Sequence, residues 1–221
     1  MEIKELLQEP FQTHQSQANL WLKIGNLFLG NQEYEEAIYS YDKVVEFKPD
    51  YHGAWNNRGI ASANLGQLKE AIYSFDKAVE FKPDYHEAWS NRGIALANLG
   101  QLEAAIESYD KALEFKPDYH EALEFKPDDH QVWNYRGNAL VKLGQLELAI
   151  NSFGKALELN LNDANTLYNK AYAYALQNQV ELAIENLQQA INLDPEYREM
   201  AKTDSDFDSI RSDPRFQALL S

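Results

Sequence analysis

The sequence has no cysteine, which removes disulfides, thiolate nucleophiles and cysteine-based zinc sites. It is poor in positive charge, with 20 Lys and Arg against 35 Asp and Glu, a formal net charge of −15. That balance excludes non-specific nucleic-acid binding, which rests on basic side chains neutralising phosphates. It also argues against docking on an anionic membrane surface. No apolar run approaches the roughly 20 residues needed to cross a bilayer. The start, Met1-Glu2-Ile3-Lys4-Glu5, lacks the basic segment and apolar core of a signal peptide, so a cytoplasmic location is expected. Hydrophobic residues make up 44% and charged residues 25%, enough apolar material for a folded core.

The chain is repetitive. Residues 52–85 read HGAWNNRGIASANLGQLKEAIYSFDKAVEFKPDY, and residues 86–119 read HEAWSNRGIALANLGQLEAAIESYDKALEFKPDY. The two segments are 34 residues each and agree at 26 positions. Such a period signals a stacked array. Apolar positions recur at helical spacing through Trp89, Ala95, Leu96 and Leu99, then through Leu102, Ala105, Ile106, Tyr109, Ala112 and Leu113. Each segment therefore predicts two amphipathic helices. Gly100 lies at the turn between them, and the small Gly93 and Ala105 allow close helix approach. Pro117 ends the second helix. First helices are expected to begin near His52, His86, His130 and Ala164.

The same positions recur along the chain. They are Trp21, Ile24, Gly25, Phe28, Ala37, Tyr41 and Pro49; Trp55, Gly59, Ala71, Phe75 and Pro83; and Trp89, Gly93, Leu96, Ala105, Tyr109 and Pro117. Trp133, Gly137, Leu140, Ala149 and Phe153 follow, then the looser Leu167, Ala171, Tyr174, Ala183, Leu187 and Pro195. This pattern resembles the tetratricopeptide repeat over residues 18–197, in the wording common in bacteria and cyanobacteria. The resemblance implies an all-α fold, a right-handed solenoid of stacked antiparallel helix pairs. On that reading residues 1–17 are an N-terminal helical extension, 18–197 hold five repeat units, and 198–221 form a helical C-terminal cap. Phe207, Ile210, Phe216, Leu219 and Leu220 are placed to cover the last unit, with Asp213-Pro214 starting a helix. A ten-residue duplication, ALEFKPDYHE followed by ALEFKPDDHQ, interrupts the array at about 120–129. It is read as a local bulge across which the fourth unit docks on the third in a monomer. The rival is a swapped dimer exchanged through residues 116–130.

Candidate chemistry is sparse. His52, His86, His120 and His130 fall at the entries to first helices, one repeat apart, too far to share an ion. Asp204, Asp206 and Asp208 mimic the start of a calcium loop, but Ser209 and Arg215 stand where glycine and glutamate are required. No phosphate-cradling glycine loop occurs, and no spacing nominates a nucleophile. Neither catalysis nor a metal or cofactor is expected.

Asparagine recurs instead. Asn57, Asn91 and Asn169 share the sixth position of their units, with Tyr135 in the fourth, and Asn64 and Asn98 share the thirteenth. The resemblance puts these positions on a concave groove, together with Asn138, Lys142, Tyr168 and Tyr172. The charged groove members are Lys23, Glu87 and Lys142, so the groove is near neutral on an acidic body. The lysine or arginine partners of a chaperone-tail carboxylate clamp are absent, with Leu22, Glu87 and Asn91 in their places. The resemblance implies a non-catalytic scaffold that binds an extended segment of a protein partner through the asparagines. The bland alternative is that they serve inter-helix hydrogen bonds alone. A second functional reading is a regulatory or targeting module of a separate catalytic subunit.

Ion pairs between neighbouring units are also expected. Asp42, Asp76 and Asp110 share one position, and Arg58, Arg92 and Arg136 share another in the following unit. Gly154 and Lys170 replace both members at the last junction.

Overall fold

The computed structural model describes residues 14–115 and 129–221. The described residues are helical throughout, without a strand. They divide between two compact units, Met1–Pro117 and Asp118–Ser221. The first unit contains three helix pairs: α1 (His14–Gly30) with α2 (Tyr34–Phe47), α3 (His52–Asn64) with α4 (Leu68–Phe81), and α5 (His86–Asn98) with α6 (Leu102–Glu114). The second contains α7 (Asp129–Lys142) with α8 (Leu146–Leu159), and α9 (Ala164–Leu176) with α10 (Val180–Leu193). It then continues through α11 (Glu196–Thr203), a 3₁₀ turn (Ser205–Phe207) and α12 (Pro214–Leu220). First helices begin where the periodicity places them, at His52, His86, Asp129 and Ala164.

Each pair is built by the same devices. In α4 the buried residues are Ala71, Ser74, Phe75, Ala78 and Val79, the stripe that a helix of 3.6 residues per turn lays against a neighbour. Between the helices the chain turns through one left-handed residue, Gly66 at φ +73°, Gly100 at +81° and Gly144 at +71°. Gln32 at 65° and Asn178 at 58° do the same at the two outer turns, where a Cβ makes that conformation costlier. All five turns close with the same bond. The amides of Glu33, Gln67, Gln101, Gln145 and Gln179 each donate to a carbonyl five residues back, at 2.9 Å. This satisfies an orphan carbonyl at the end of each first helix.

Within a pair the helices meet glycine against aromatic ring. A Cβ added to Gly59 would stand 2.5 Å from the ring of Phe75, and one on Gly93 2.5 Å from Tyr109. Gly25 faces Tyr41 and Gly137 faces Phe153 in the same way. Between pairs α2 packs on α3, α4 on α5 and α8 on α9. The end of the array is closed by the C-terminal segment. Phe207, Ile210 and Phe216 are buried with Leu187 and Ile191, and Leu219 and Leu220 pack against that cluster. Asp213 accepts the Arg215 amide at 2.8 Å with Pro214 following it, the expected helix start. Arg211 donates to the carbonyls of Lys202 at 2.6 Å and Asp204 at 2.5 Å, tying α11 to the tail.

Three expectations concern residues 1–13 or 116–128 and lie outside the described residues. They are the N-terminal helical extension, the bulge formed by the duplication, and the docking or swapping of the fourth pair across it. Asp110 and Arg136, expected to pair across the duplication, belong to different compact units, and each is described within its own.

Candidate functional site: the asparagine-bearing face of the first helices

In the first unit, α3 approaches both α1 and α5, and the side chains between these first helices are amides. Asn57 donates to Asn26 Oδ1 at 3.2 Å, and Tyr41 Oη donates to the same oxygen at 2.9 Å. Burial raises the Tyr41 phenol to about 12, which keeps it a neutral donor. Asn91 donates to Asn56 Oδ1 at 3.1 Å. The second unit repeats the device: Asn169 donates to Asn134 Oδ1 at 3.1 Å and to Asn165 Oδ1 at 3.1 Å. Asn134 itself donates to Asn165 at 2.9 Å. Each sixth-position asparagine is therefore fastened to the preceding first helix by its side-chain amide.

Of the acceptors, Asn56 and Asn134 are buried and Asn26 and Asn165 are exposed, whereas the donors Asn57, Asn91 and Asn169 are partly buried. An asparagine side chain carries two N–H donors and a carbonyl with two lone pairs. Asn57 donates to Asn26 and accepts from Asn56 Nδ2 at 3.4 Å, Asn91 donates to Asn56, and Asn169 donates to both Asn134 and Asn165. Donor and acceptor capacity therefore remains at Asn57 and Asn91, and chiefly the carbonyl at Asn169. Sequence reasoning named the donors Asn57, Asn91 and Asn169 and missed Asn56, Asn134 and Asn165. A signal was present: Asn56 with Asn91, and Asn134 with Asn169, are separated by one period plus one residue.

The remaining candidates divide. Asn64 and Asn98 are exposed, and Asn64 returns its amide to the Ile60 carbonyl at 2.9 Å. Tyr135 is 36% exposed, Lys142 is exposed at the end of α7, and Asn138 is half-buried. Tyr168 departs from the expectation of an open groove residue. It is 6% exposed, its hydroxyl donates to Asp204 Oδ2 at 2.7 Å, and its ring packs on Tyr197 and Phe207. The tail supplies these covers, so Tyr168 is a core contact of the cap. Burial, then the bond to Asp204, pushes its phenol far above the ordinary tyrosine value. Tyr172 is half-buried beside the same acidic run, its phenol raised by burial and by Asp206 and Asp204.

The predicted ion pairs are formed where both members lie in the first unit. Arg58 Nε meets Asp42 Oδ1 at 2.6 Å, and Arg92 Nε meets Asp76 Oδ1 at 2.6 Å. Each guanidinium also donates to a serine of its own second helix, Ser74 at 2.7 Å and Ser108 at 2.6 Å. Each lies over its own tryptophan, with the guanidinium carbon 6.0 Å from the Trp55 centroid and 5.7 Å from that of Trp89. These clamps fix the spacing of the first helices and hence of the amides they carry.

The histidines are at helix entries. His52 stands edge-on to Tyr85 with centroids 5.2 Å apart, its pKa lowered chiefly by burial. His130 Nε2 lies 3.9 Å from Asp163 Oδ2. Among the described residues no group of three or more histidines and carboxylates is gathered to hold a metal ion. The Asp204 carboxylate, the first of the calcium-like run, accepts the Asp206 amide at 3.0 Å as a local turn. No described helix is long and apolar enough to cross a membrane. What the face offers chemically is a set of oriented amides among small and apolar side chains, namely Ile60, Ala63, Ile94 and Ala97 in the first unit.

Comparison with known proteins agrees with this architecture. A "TPR repeat" family model matches residues 25–66, 63–100 and 137–178, more than half of the chain. "Tetratricopeptide repeat" models match residues 86–119 and 164–197. A "protein prenyltransferase alpha subunit repeat" model matches the short stretch 118–143. No curated protein matches the sequence. Among solved structures, YrrB, described as "a TPR protein with an unusual peptide-binding site", is 24% identical. That match covers 91% of this chain and 98% of YrrB with a TM-score of 0.72. MamA from Desulfovibrio magneticus RS-1 is 21% identical over 81% of this chain and 96% of its own, with a TM-score of 0.72. A second MamA structure is 19% identical over 85% and 96%, with a TM-score of 0.71.

Proposed function

The chain belongs to the tetratricopeptide-repeat family, and on that premise we propose that it is a protein-interaction scaffold that holds an extended segment of a partner on the asparagine face of its first helices. The observation that carries the reading is the fastening of Asn57 and Asn91 to the preceding helix. A free asparagine on a helix surface samples several rotamers and gives up that freedom on binding. An amide already held at one donor presents the rest of its hydrogen-bonding capacity without that cost. Amides also suit a main chain, since they pair with its N–H and C=O groups whatever the partner's side chains. The peptide-binding site reported for YrrB, a protein of similar fold, points the same way. In the second unit Asn169, whose amide donates to both Asn134 and Asn165, offers its carbonyl beside the half-buried Tyr172. In this reading the chain acts in the cytoplasm as a monomer without catalysis of its own. Its net charge of −15 turns it from nucleic acids and anionic lipid toward protein partners.

The test is panning of an extended twelve-residue peptide library against the whole chain, followed by measurement of the selected peptides on variants. Asn57→Ala with Asn91→Ala is expected to weaken them at least tenfold, about 1.4 kcal/mol, the worth of one or two hydrogen bonds. Asn169→Ala reports separately on the second patch. Helical content and melting temperature are followed in parallel, because each substitution also removes an inter-helix bond. Peptides that bind the folded double variant as tightly as the parent place the docking surface elsewhere.

A further inference from the structure

The tryptophan at the start of each first helix has a cation above it in the second, third and fourth pairs. Arg58 lies 6.0 Å from Trp55, Arg92 5.7 Å from Trp89 and Arg136 5.8 Å from Trp133, always three residues further along the helix. The first pair breaks the pattern. Three residues after Trp21 stands Ile24, which is buried at 1% exposure and brings no charge. At this place the surface has a cavity of about 410 Å³; the third pair has one of about 500 Å³ at the corresponding place, but there Arg92 is part of the lining. Trp21 and Tyr39 form two of its walls at nearly a right angle, with centroids 5.8 Å apart and an interplanar angle of 84°. Ile24 and Phe28 contribute an apolar floor, and Glu35 and Glu36, both exposed in the first turn of α2, stand at its edge.

Paired glutamates are peculiar to this unit. The equivalent positions hold Lys69 and Glu70, Glu103 and Ala104, Glu147 and Leu148, and Glu181 and Leu182. Lys43 does not neutralise the site. Its ammonium lies over Tyr39 at 5.8 Å but is bound to Glu46 at 2.6 Å, outside the cavity lining.

We propose that this pocket receives an arginine side chain of a partner protein. The pocket would restore from outside the arginine-on-tryptophan contact that every other tryptophan of the array makes from within. Its volume falls in the range of roughly 300–1,000 Å³ usual for ligand sites. The methylene arm of an arginine suits Ile24 and Phe28, and its guanidinium suits the indole face of Trp21. The planar fork of donors suits two carboxylates better than the point charge of a lysine does. An excess of 15 negative charges draws such a partner in. The site shares no residue with the asparagine face, so it is a second contact point on the same molecule, independent of the first.

The experiment is a titration of the full-length ¹⁵N-labelled chain, followed at its four tryptophan indole N–H signals. The signal of Trp21 is assigned with Trp21→Phe. The probes are the capped pentapeptide Gly-Ser-Arg-Ser-Gly and its norleucine counterpart. The arginine peptide is expected to shift the Trp21 signal saturably and leave Trp55 and Trp89 in place, while the norleucine peptide shifts nothing. Glu35→Gln with Glu36→Gln, both on exposed positions, is expected to weaken the arginine peptide about fivefold, as the loss of two exposed charge contacts should. Asn57→Ala with Asn91→Ala is expected to leave this response unchanged, which separates the pocket from the asparagine face. Equal shifts with norleucine, no Trp21 response in the whole chain, or an undiminished response in the glutamine variant overturns the proposal.

Discussion

At the scale of single residues, the helix pairs are held by a matched choice of one small and one large side chain. Gly59 lets α3 come so close to α4 that its missing Cβ would lie 2.5 Å from a Phe75 ring carbon, well inside contact distance. The fifth pair solves the same problem with different residues. Ala171 stands at the glycine position and Leu187 at the aromatic one, and both are fully buried. The larger residue on one helix is offset by the smaller on the other. Gly59→Ala alone is therefore expected to cost about 1–3 kcal/mol, the range for overpacking a tight core. Phe75→Leu alone opens a void and also destabilises. The double variant, which copies the fifth pair, is expected to lose less than the sum of the two. A double-mutant cycle by urea unfolding measures that coupling, and strictly additive losses would show that the glycine serves some other purpose. The pairing is legible in the sequence once the period is known, since positions 59 and 75 change in step with 171 and 187.

At the scale of elements, the junctions between pairs follow the sequence reading at Asp42–Arg58 and Asp76–Arg92, and the last junction shows what happens without the aspartate. Lys170 takes the arginine position on α9 and Gly154 the aspartate position on α8. Burial lowers the Lys170 pKa, and the nearby Glu185 only partly opposes it. The folded chain thus binds this proton less tightly than the unfolded chain does. In the window just below the ordinary lysine value the unfolded state carries more protons, so this residue makes stability rise with pH there. Nothing lies within 4 Å of a Cβ added at Gly154. Gly154→Asp is expected to raise the Lys170 pKa, flatten that pH dependence, and add about 0.5–1 kcal/mol from a half-exposed ion pair. Removing a helix-interior glycine adds a few tenths more. Chemical unfolding at pH 7 and pH 10 checks both effects, and a variant with unchanged pH dependence would mean that the two side chains do not meet. These junctions were legible because both members change together. The cap was legible too, but not that Tyr168 lies beneath it, because a groove position and a stacking position look alike until the next element is placed. The tail supplies Asp204 36 residues after Tyr168, close to the 35 that separate the bonded asparagines, so it takes the place of a sixth first helix. The fastening amides Asn56 and Asn134 were missed for a similar reason: periodicity tells which residues are equivalent but not which neighbours they touch.

At the scale of the whole molecule, two electrostatic effects oppose each other, and their ranges decide which one salt removes. Fixed contacts attract at close quarters: Lys43–Glu46 at 2.6 Å, Lys77–Glu80 at 2.7 Å, Lys155–Glu158 at 2.8 Å, and the two arginine clamps at 2.6 Å. The excess of 15 negative charges repels over the span of the molecule. The screening length shrinks from about 30 Å at 0.01 M salt to about 8 Å at 0.15 M. Contacts under 3 Å are shorter than either length and keep most of their strength. Repulsion between unpaired carboxylates one or two helices apart is largely lost. Compaction concentrates that repulsion in the folded state, so its removal favours folding. The exposed pairs are worth at most about 1 kcal/mol each even at low salt, which leaves little to lose. Raising sodium chloride from 10 to 200 mM is therefore expected to raise the melting temperature, by about 2–4 °C for each kcal/mol of repulsion relieved in a chain of this size. Thermal unfolding followed by circular dichroism at pH 7 makes the measurement. A melting temperature that falls over that range would mean that the contact pairs carry more of the stability than the net charge takes away, and Asp42→Asn would then lower it further at 10 mM salt than at 200 mM.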